Sequence, residues 1–124
     1  MIAVAKGNIH TVSAMLGNTT VDVNAVDPVT GISSFWLAAL YGHGKIMKLL
    51  AENTNCDILV ENEEGINVLH LAVYKNDLRI VQMLLKSGFP IDSKTKAGYS
   101  CLHLAAIMNR GLIVEEILNF LKES

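Results

Sequence analysis

Gly65-Ile66-Asn67-Val68-Leu69-His70-Leu71-Ala72-Val73 leads into Asn76-Asp77, continues as Ile80-Val81-Gln82-Met83-Leu84-Leu85 and stops at Gly88. Apolar residues at 69, 72 and 73 share one face of a helix, and so do those at 80, 81, 84 and 85. Asn76-Asp77 interrupts the pattern with two poor helix formers side by side. The stretch therefore reads as turn, helix, turn, helix, turn. Two helices of about ten residues joined by so short a break lie antiparallel. Such a hairpin exposes two apolar faces and cannot cover both by itself, so the rest of the chain has to supply neighbours.

It does so by repetition. A shift of 33 residues carries Gly65 to Gly98, Leu69-His70 to Leu102-His103 and Leu71-Ala72 to Leu104-Ala105. A shift of 34 the other way carries Gly65 to Gly31, Leu71-Ala72 to Leu37-Ala38, Asn76-Asp77 to Gly42-His43 and Ile80 to Ile46. Gly42 carried back by 35 gives Gly7, with Asn8 and Val12 following. Self-similarity near this period is the signature of stacked repeats, each a supersecondary unit that touches only its neighbours.

These residues resemble the ankyrin repeat, whose pattern is a turn glycine, T-P-L-H-x-A-A, then G-H, then I-V-x-L-L-L and G-A. Val68-Leu69-His70-Leu71-Ala72 and Ser100-Cys101-Leu102-His103-Leu104-Ala105-Ala106 correspond to the first helix. Gly42-His43 corresponds to the turn, and Ile80-Val81 with Met83-Leu84-Leu85 to the second helix. The resemblance covers nearly the whole chain and implies an all-α solenoid of stacked helix-turn-helix repeats with β-hairpin or loop fingers. Residues 1–124 then form a single ankyrin-repeat domain: a partial repeat at 1–26, then repeats at 27–60, 61–93 and 94–124.

Composition agrees with a globular chain, since 51% of residues are apolar and only 18% charged. A formal net charge of −2 with no long run of one sign argues against a nucleic-acid surface. Apolar runs fall far below the roughly 18 residues of a spanning helix, so no membrane insertion is expected. Met1–Ala5 is too short and lacks the basic leader of a signal peptide. Cys56 and Cys101 form no motif and read as reduced thiols, which places the protein in cytosol or nucleus.

The first unit starts abruptly, with Met1–Lys6 as a shortened first helix and Asn8–Leu16 as the second. Ile2 and Val4 are expected on its exposed side, which is apolar for a cap and favours a fragment of a longer array. Gly17–Ile32 is a long connection in which Val23-Asn24-Ala25 matches the V-N-A linking family repeats, and Asp27-Pro28-Val29-Thr30-Gly31 is a turn. Ser33 or Ser34 caps the next helix. Trp36 stands where the family has histidine, so this unit is expected to lack the usual turn-bracing hydrogen bonds. Cys56–Gly65 and Ser93–Gly98 are two further fingers, the first carrying Glu61, Glu63 and Glu64, the second Lys94 and Lys96. In the last helix Ile113, Val114, Ile117, Leu118 and Leu121 fall on one face, opposite Glu115, Glu116, Asn119 and Lys122.

No catalytic constellation emerges. His70 and His103 occupy equivalent positions in adjacent layers, about 8–10 Å apart, whereas two ligands of one zinc each lie about 2 Å from it. Both read as turn-bracing groups, His43 as the family's turn histidine and His10 as a solvated side chain. Cys101 and His103 sit two apart at a helix start, so their side chains diverge, and no third residue orients a base. Glu63-Glu64 and Glu115-Glu116 read as solvated. The glycines punctuate repeats and match no phosphate-binding fingerprint. Catalytic residues, cofactors and metals are therefore all expected to be none, and the protein is expected not to be an enzyme.

What remains is surface. In ankyrin proteins the finger tips and the exposed side of the first helices line a concave face that grips a partner. Carried over by position, that face holds Val29, Thr30, Ile32, Leu40 and Tyr41, then Glu63, Glu64, Ile66, Tyr74 and Lys75, then Lys96, Tyr99, Ile107 and Met108. Tyr41, Tyr74 and Tyr99 are the expected anchors, aromatic groups and methionine being enriched where proteins meet. The resemblance thus implies a monomeric, non-catalytic module binding a protein or peptide, or a regulatory or targeting segment of a larger enzyme, kinase or channel.

Overall fold

The computed structural model describes residues 4, 6–17, 22–28, 31–53 and 55–123. Val29, Thr30 and Ile2, along with most of the shortened first helix, lie outside the described residues. Helices α1 Ile9–Leu16, α2 Ser34–Leu40, α3 Gly44–Ala51, α4 Val68–Tyr74, α5 Leu78–Lys86, α6 Cys101–Ile107 and α7 Gly111–Glu123 follow one another, with α2–α3, α4–α5 and α6–α7 packed as hairpin pairs. Helices α2, α4 and α6 pack side by side in one row, and α1, α3, α5 and α7 in a second. This is the all-α solenoid expected from the repeats.

Helices this short are marginal in isolation, and their ends need satisfying. Ser33, Asn67 and Ser100 cap α2, α4 and α6 by accepting the backbone N–H three residues on. Asn8 and Asp77 do the same for α1 and α5. The tight turns between paired helices put Gly42, Asn76 and Asn109 at positive φ of 72°, 56° and 59°. Asparagine is among the few residues other than glycine that visit this region readily, which is why Asn76-Asp77 can stand in for Gly42-His43.

Ala38, Ala72 and Ala105 are fully buried where the first-row helices meet, and their small side chains let the layers approach closely. Phe35, Met47, Leu69, Val81 and Ile113 fill the spaces between rows. The fingers are not extended hairpins. The first and second are each pinned by one antiparallel bridge, Val26 with Ser33 and Glu61 with Asn67. In the third, Thr95 N–H donates to the Tyr99 carbonyl at 2.9 Å.

Three expectations are corrected. Val4 is buried, because it joins Val12 and Val23 in the core, so it gives no exposed apolar face at the first unit. Trp36 does brace its neighbour: its indole Nε1–H donates to the Ile66 carbonyl at 3.0 Å, tying α2 to the second finger. In α7 the core side is Ile113 and Ile117 with Phe120 against them, while Leu118 and Leu121 are exposed. The reason is position in the stack. Leu85, equivalent to Leu118 one layer earlier, is 3% exposed against 43% for Leu118, and the α7 layer packs on α5 but has no described layer beyond it.

Candidate interaction surface

The histidines show how layers are joined. Asn67 N–H donates to His70 Nδ1 at 3.2 Å, while His70 N–H donates back to Asn67 Oδ1 at 2.9 Å. An Nδ1 that accepts is unprotonated, so the ring proton sits on Nε2 and points to the Ser93 carbonyl at 3.0 Å. One imidazole therefore caps α4 and holds the base of the next finger. Burial pushes its pKa down from the usual histidine value, partly offset by the Ser93 carbonyl and the charge of Glu61. His103 repeats the capping box with Ser100 but is exposed.

Cys101 is a packing group. Its side chain is buried, its Sγ donates to the Ile91 carbonyl at 3.4 Å, and burial pushes its pKa up to about 11. A thiol held protonated is a poor nucleophile. Cys56, half-buried, is also shifted up, by burial first and then by Asp57. Among the described residues no three His, Cys, Asp or Glu side chains come together as a metal site would require. His10 is exposed as expected. His43 sits at the N-cap of α3 without a side-chain cap bond, its ring over Gly7 and stacked on Tyr41 with centroids 6.3 Å apart.

The residues expected to grip a partner fall into two groups. Tyr41, Tyr74, Lys75, Ile107 and Met108 lie at the C-terminal ends of α2, α4 and α6. Tyr99, Lys96, Ile66, Glu63, Glu64 and Ile32 belong to the fingers at the opposite ends of the same helices. A seven-residue helix spans about 10 Å, so Tyr99 does not join Tyr41 and Tyr74 in one patch. Leu40, Tyr74 and Ile107 are equivalent positions with rising exposure: Leu40 is half-buried, Tyr74 36% exposed and Ile107 64% exposed. Leu40 and Tyr74 each have a following layer, and Ile107 has none among the described residues, which accounts for its greater exposure. Tyr41 remains exposed with a following layer in place, whereas Tyr99, like Ile107, belongs to the last described layer.

Sequence reasoning missed a cleft of about 770 Å³ between the first and second fingers. Ile32, Glu63 and Glu64 were expected on this surface; Val26, Trp36, Asp57, Leu59 and Glu61 also line it. The run Asp57-Ile58-Leu59-Val60-Glu61, apolar between two acidic ends, was the available signal. The second and third fingers are instead tied together by their backbones. Lys96 N–H donates to the Glu64 carbonyl at 3.0 Å, and a Cβ on Gly65 would meet Lys96 N at 3.0 Å. At the equivalent Gly31, a Cβ would meet nothing within 4 Å.

Comparison with known proteins agrees with this architecture. A family profile for ankyrin repeats in three copies matches residues 1–95 and 37–123. The chain belongs to the ankyrin-repeat family. It is 35% identical over 78 residues to the nuclear factor NF-kappa-B p105 subunit of Mus musculus, a match covering 60% of this chain and 8% of that protein. It is 36% identical over 75 residues to the Notch-regulated ankyrin repeat-containing protein of Xenopus tropicalis, covering 58% of this chain and 66% of the relative. A third relative, putative ankyrin repeat protein L371 of Acanthamoeba polyphaga mimivirus, is 25% identical over 83 residues, covering 67% of this chain and 11% of the relative. The matches thus span under a tenth of p105 and just under two thirds of the Notch-regulated protein. Ankyrin repeats are generally protein–protein interaction modules and typically non-catalytic. No helix among the described residues is long and apolar enough to cross a membrane.

Proposed function

We propose that this protein is a non-catalytic interaction module that binds a protein or peptide on the face formed by its fingers and the α2–α4–α6 row, the concave face of the family. The observation that carries this reading is the exposure of Tyr41 and Tyr74 at the ends of the row's helices and of Tyr99 on the third finger. Large aromatic groups held by a rigid scaffold are the usual anchors of protein interfaces. Ile32, Leu40, Glu63, Glu64, Ile66, Lys75, Lys96, Ile107 and Met108 complete the proposed surface. Val29, also proposed, lies outside the described residues.

The repeat register 1–26, 27–60, 61–93 and 94–124, a monomeric state and a cytosolic or nuclear setting are part of the same proposal. The setting draws support from Cys56 and Cys101 both being thiols. Affinity capture from native cells, read by mass spectrometry, tests the function. A partner retained by the wild type should be lost with Tyr41→Ala/Tyr74→Ala, and unchanged capture overturns the surface assignment. A second reading, a regulatory or targeting segment of a larger enzyme, kinase or channel, is favoured by the small share of p105 that the match covers. Sequencing the complete transcript tests it: catalytic or channel domains joined to this segment support the reading, and their absence removes it.

A further inference from the structure

We infer that the cleft between the first and second fingers receives a partner segment in which lysine or arginine side chains flank a large apolar one. This rests on the interaction-module reading above and names the chemistry of the partner at one part of its surface. The base of the cleft is apolar, formed by Ile32, Val60 and the Trp36 indole, which the Ile66 carbonyl holds in place. Val26 and Leu59, each 54% exposed, stand at its walls. These are groups that gain by being covered.

The rim decides which apolar segment fits. Asp57, Glu61, Glu63 and Glu64 line it, all four exposed, and among the described residues no lysine, arginine or histidine does. Four of the chain's twelve acidic residues therefore meet at one opening of a protein whose formal net charge is only −2. The carboxylates are spread along the rim and do not converge as metal ligands do, which matches cations spaced along a polypeptide. Opposite charge at a rim steers association and fixes register, while the apolar contact at the centre supplies most of the binding free energy. An acidic segment would meet like charge along the whole second-finger side of the opening. A polar cation such as a polyamine would leave the apolar base uncovered.

The test is fluorescence anisotropy with the whole chain and a fluorescein-labelled decapeptide alternating lysine and leucine. Lysine–serine and glutamate–leucine decapeptides are the controls. The lysine–leucine peptide should bind at least about tenfold more tightly than either control, and raising salt from about 50 to 500 mM should weaken it by screening the rim. It should also change the emission of Trp36, the only tryptophan in the chain. Glu61→Gln/Glu63→Gln/Glu64→Gln should weaken binding about tenfold and flatten its salt dependence, and Leu59→Ser should weaken it about fivefold. All four positions are exposed, so circular dichroism should show unchanged folding. Equal binding by the triple variant overturns the proposal, as does equal binding of the lysine–serine or glutamate–leucine peptide. A native partner lost with Tyr41→Ala/Tyr74→Ala but indifferent to the triple glutamine variant overturns the cleft assignment and leaves the module reading standing. A partner indifferent to both overturns the cleft assignment and the tyrosine surface assignment together.

Discussion

Protonating His70 should weaken the stack in a calculable way. The imidazole is 1% exposed, its Nδ1 accepts from Asn67 N–H, and its Nε2–H is directed at the Ser93 carbonyl. A proton on Nδ1 would face an N–H donor and break the capping box, and a charge there would be cut off from water. Its folded pKa therefore lies below the ordinary 6.5. The sign follows. Below that ordinary value the unfolded chain binds a proton that the folded protein refuses, so stability is full above it and falls as pH drops towards the folded value. If the buried ring takes up no proton by pH 5.5, moving from pH 7.5 to 5.5 removes about 1.4 kcal/mol, the ceiling for one such group. Urea unfolding followed by circular dichroism across this range measures the loss. His70→Gln, which cannot titrate, should be less stable at pH 7.5 by about 1–3 kcal/mol, because the cap and the bridge to Ser93 are weakened. Its further loss on acidification should be smaller than that of the wild type by up to the ceiling. Equal acid losses in the wild type and His70→Gln would refute the argument.

Other outcomes follow from packing. Leu71→Ala should cost about 2–5 kcal/mol as a truncation between layers; a loss below about 1 kcal/mol in urea unfolding would show that the site collapses without penalty. Gly65→Ala should destabilise more than Gly31→Ala. Both sit at positive φ, 77° and 72°, but only the first drives a Cβ into the backbone of Thr95 and Lys96. Equal thermal midpoints for the two variants would contradict the clamp between the second and third fingers. Cys101 should react with a thiol reagent at pH 8 only after unfolding, and after Cys56; labelling of Cys101 in the native protein would mean that its layer opens readily.

Much of the architecture was legible because each repeat states it again. Shifts of 34 and then 33 residues align Ser33, Asn67 and Ser100 one residue before their helices, where all three act as caps. They also align Ala38, Ala72 and Ala105, all three fully buried. Caps, turn positions and apolar periodicity are local properties, and local chemistry is written along the chain. The family pattern likewise picked out Tyr41 and Tyr99, both exposed in the structure.

Relations between layers were decided by tertiary structure alone. Nothing near Trp36 in sequence announces that its indole reaches the carbonyl of Ile66, 30 residues away. Leu85 and Leu118 are the same residue at the same repeat position, yet one is buried and the other open. Their fates depend on what packs against them, which periodicity does not encode. The cleft shows the same division: its acidic and apolar residues could be read one by one, but its opening depends on how two fingers are spaced. The second and third fingers share a backbone hydrogen bond between Lys96 and Glu64 that closes the gap between them, and the space beside Gly31 remains open.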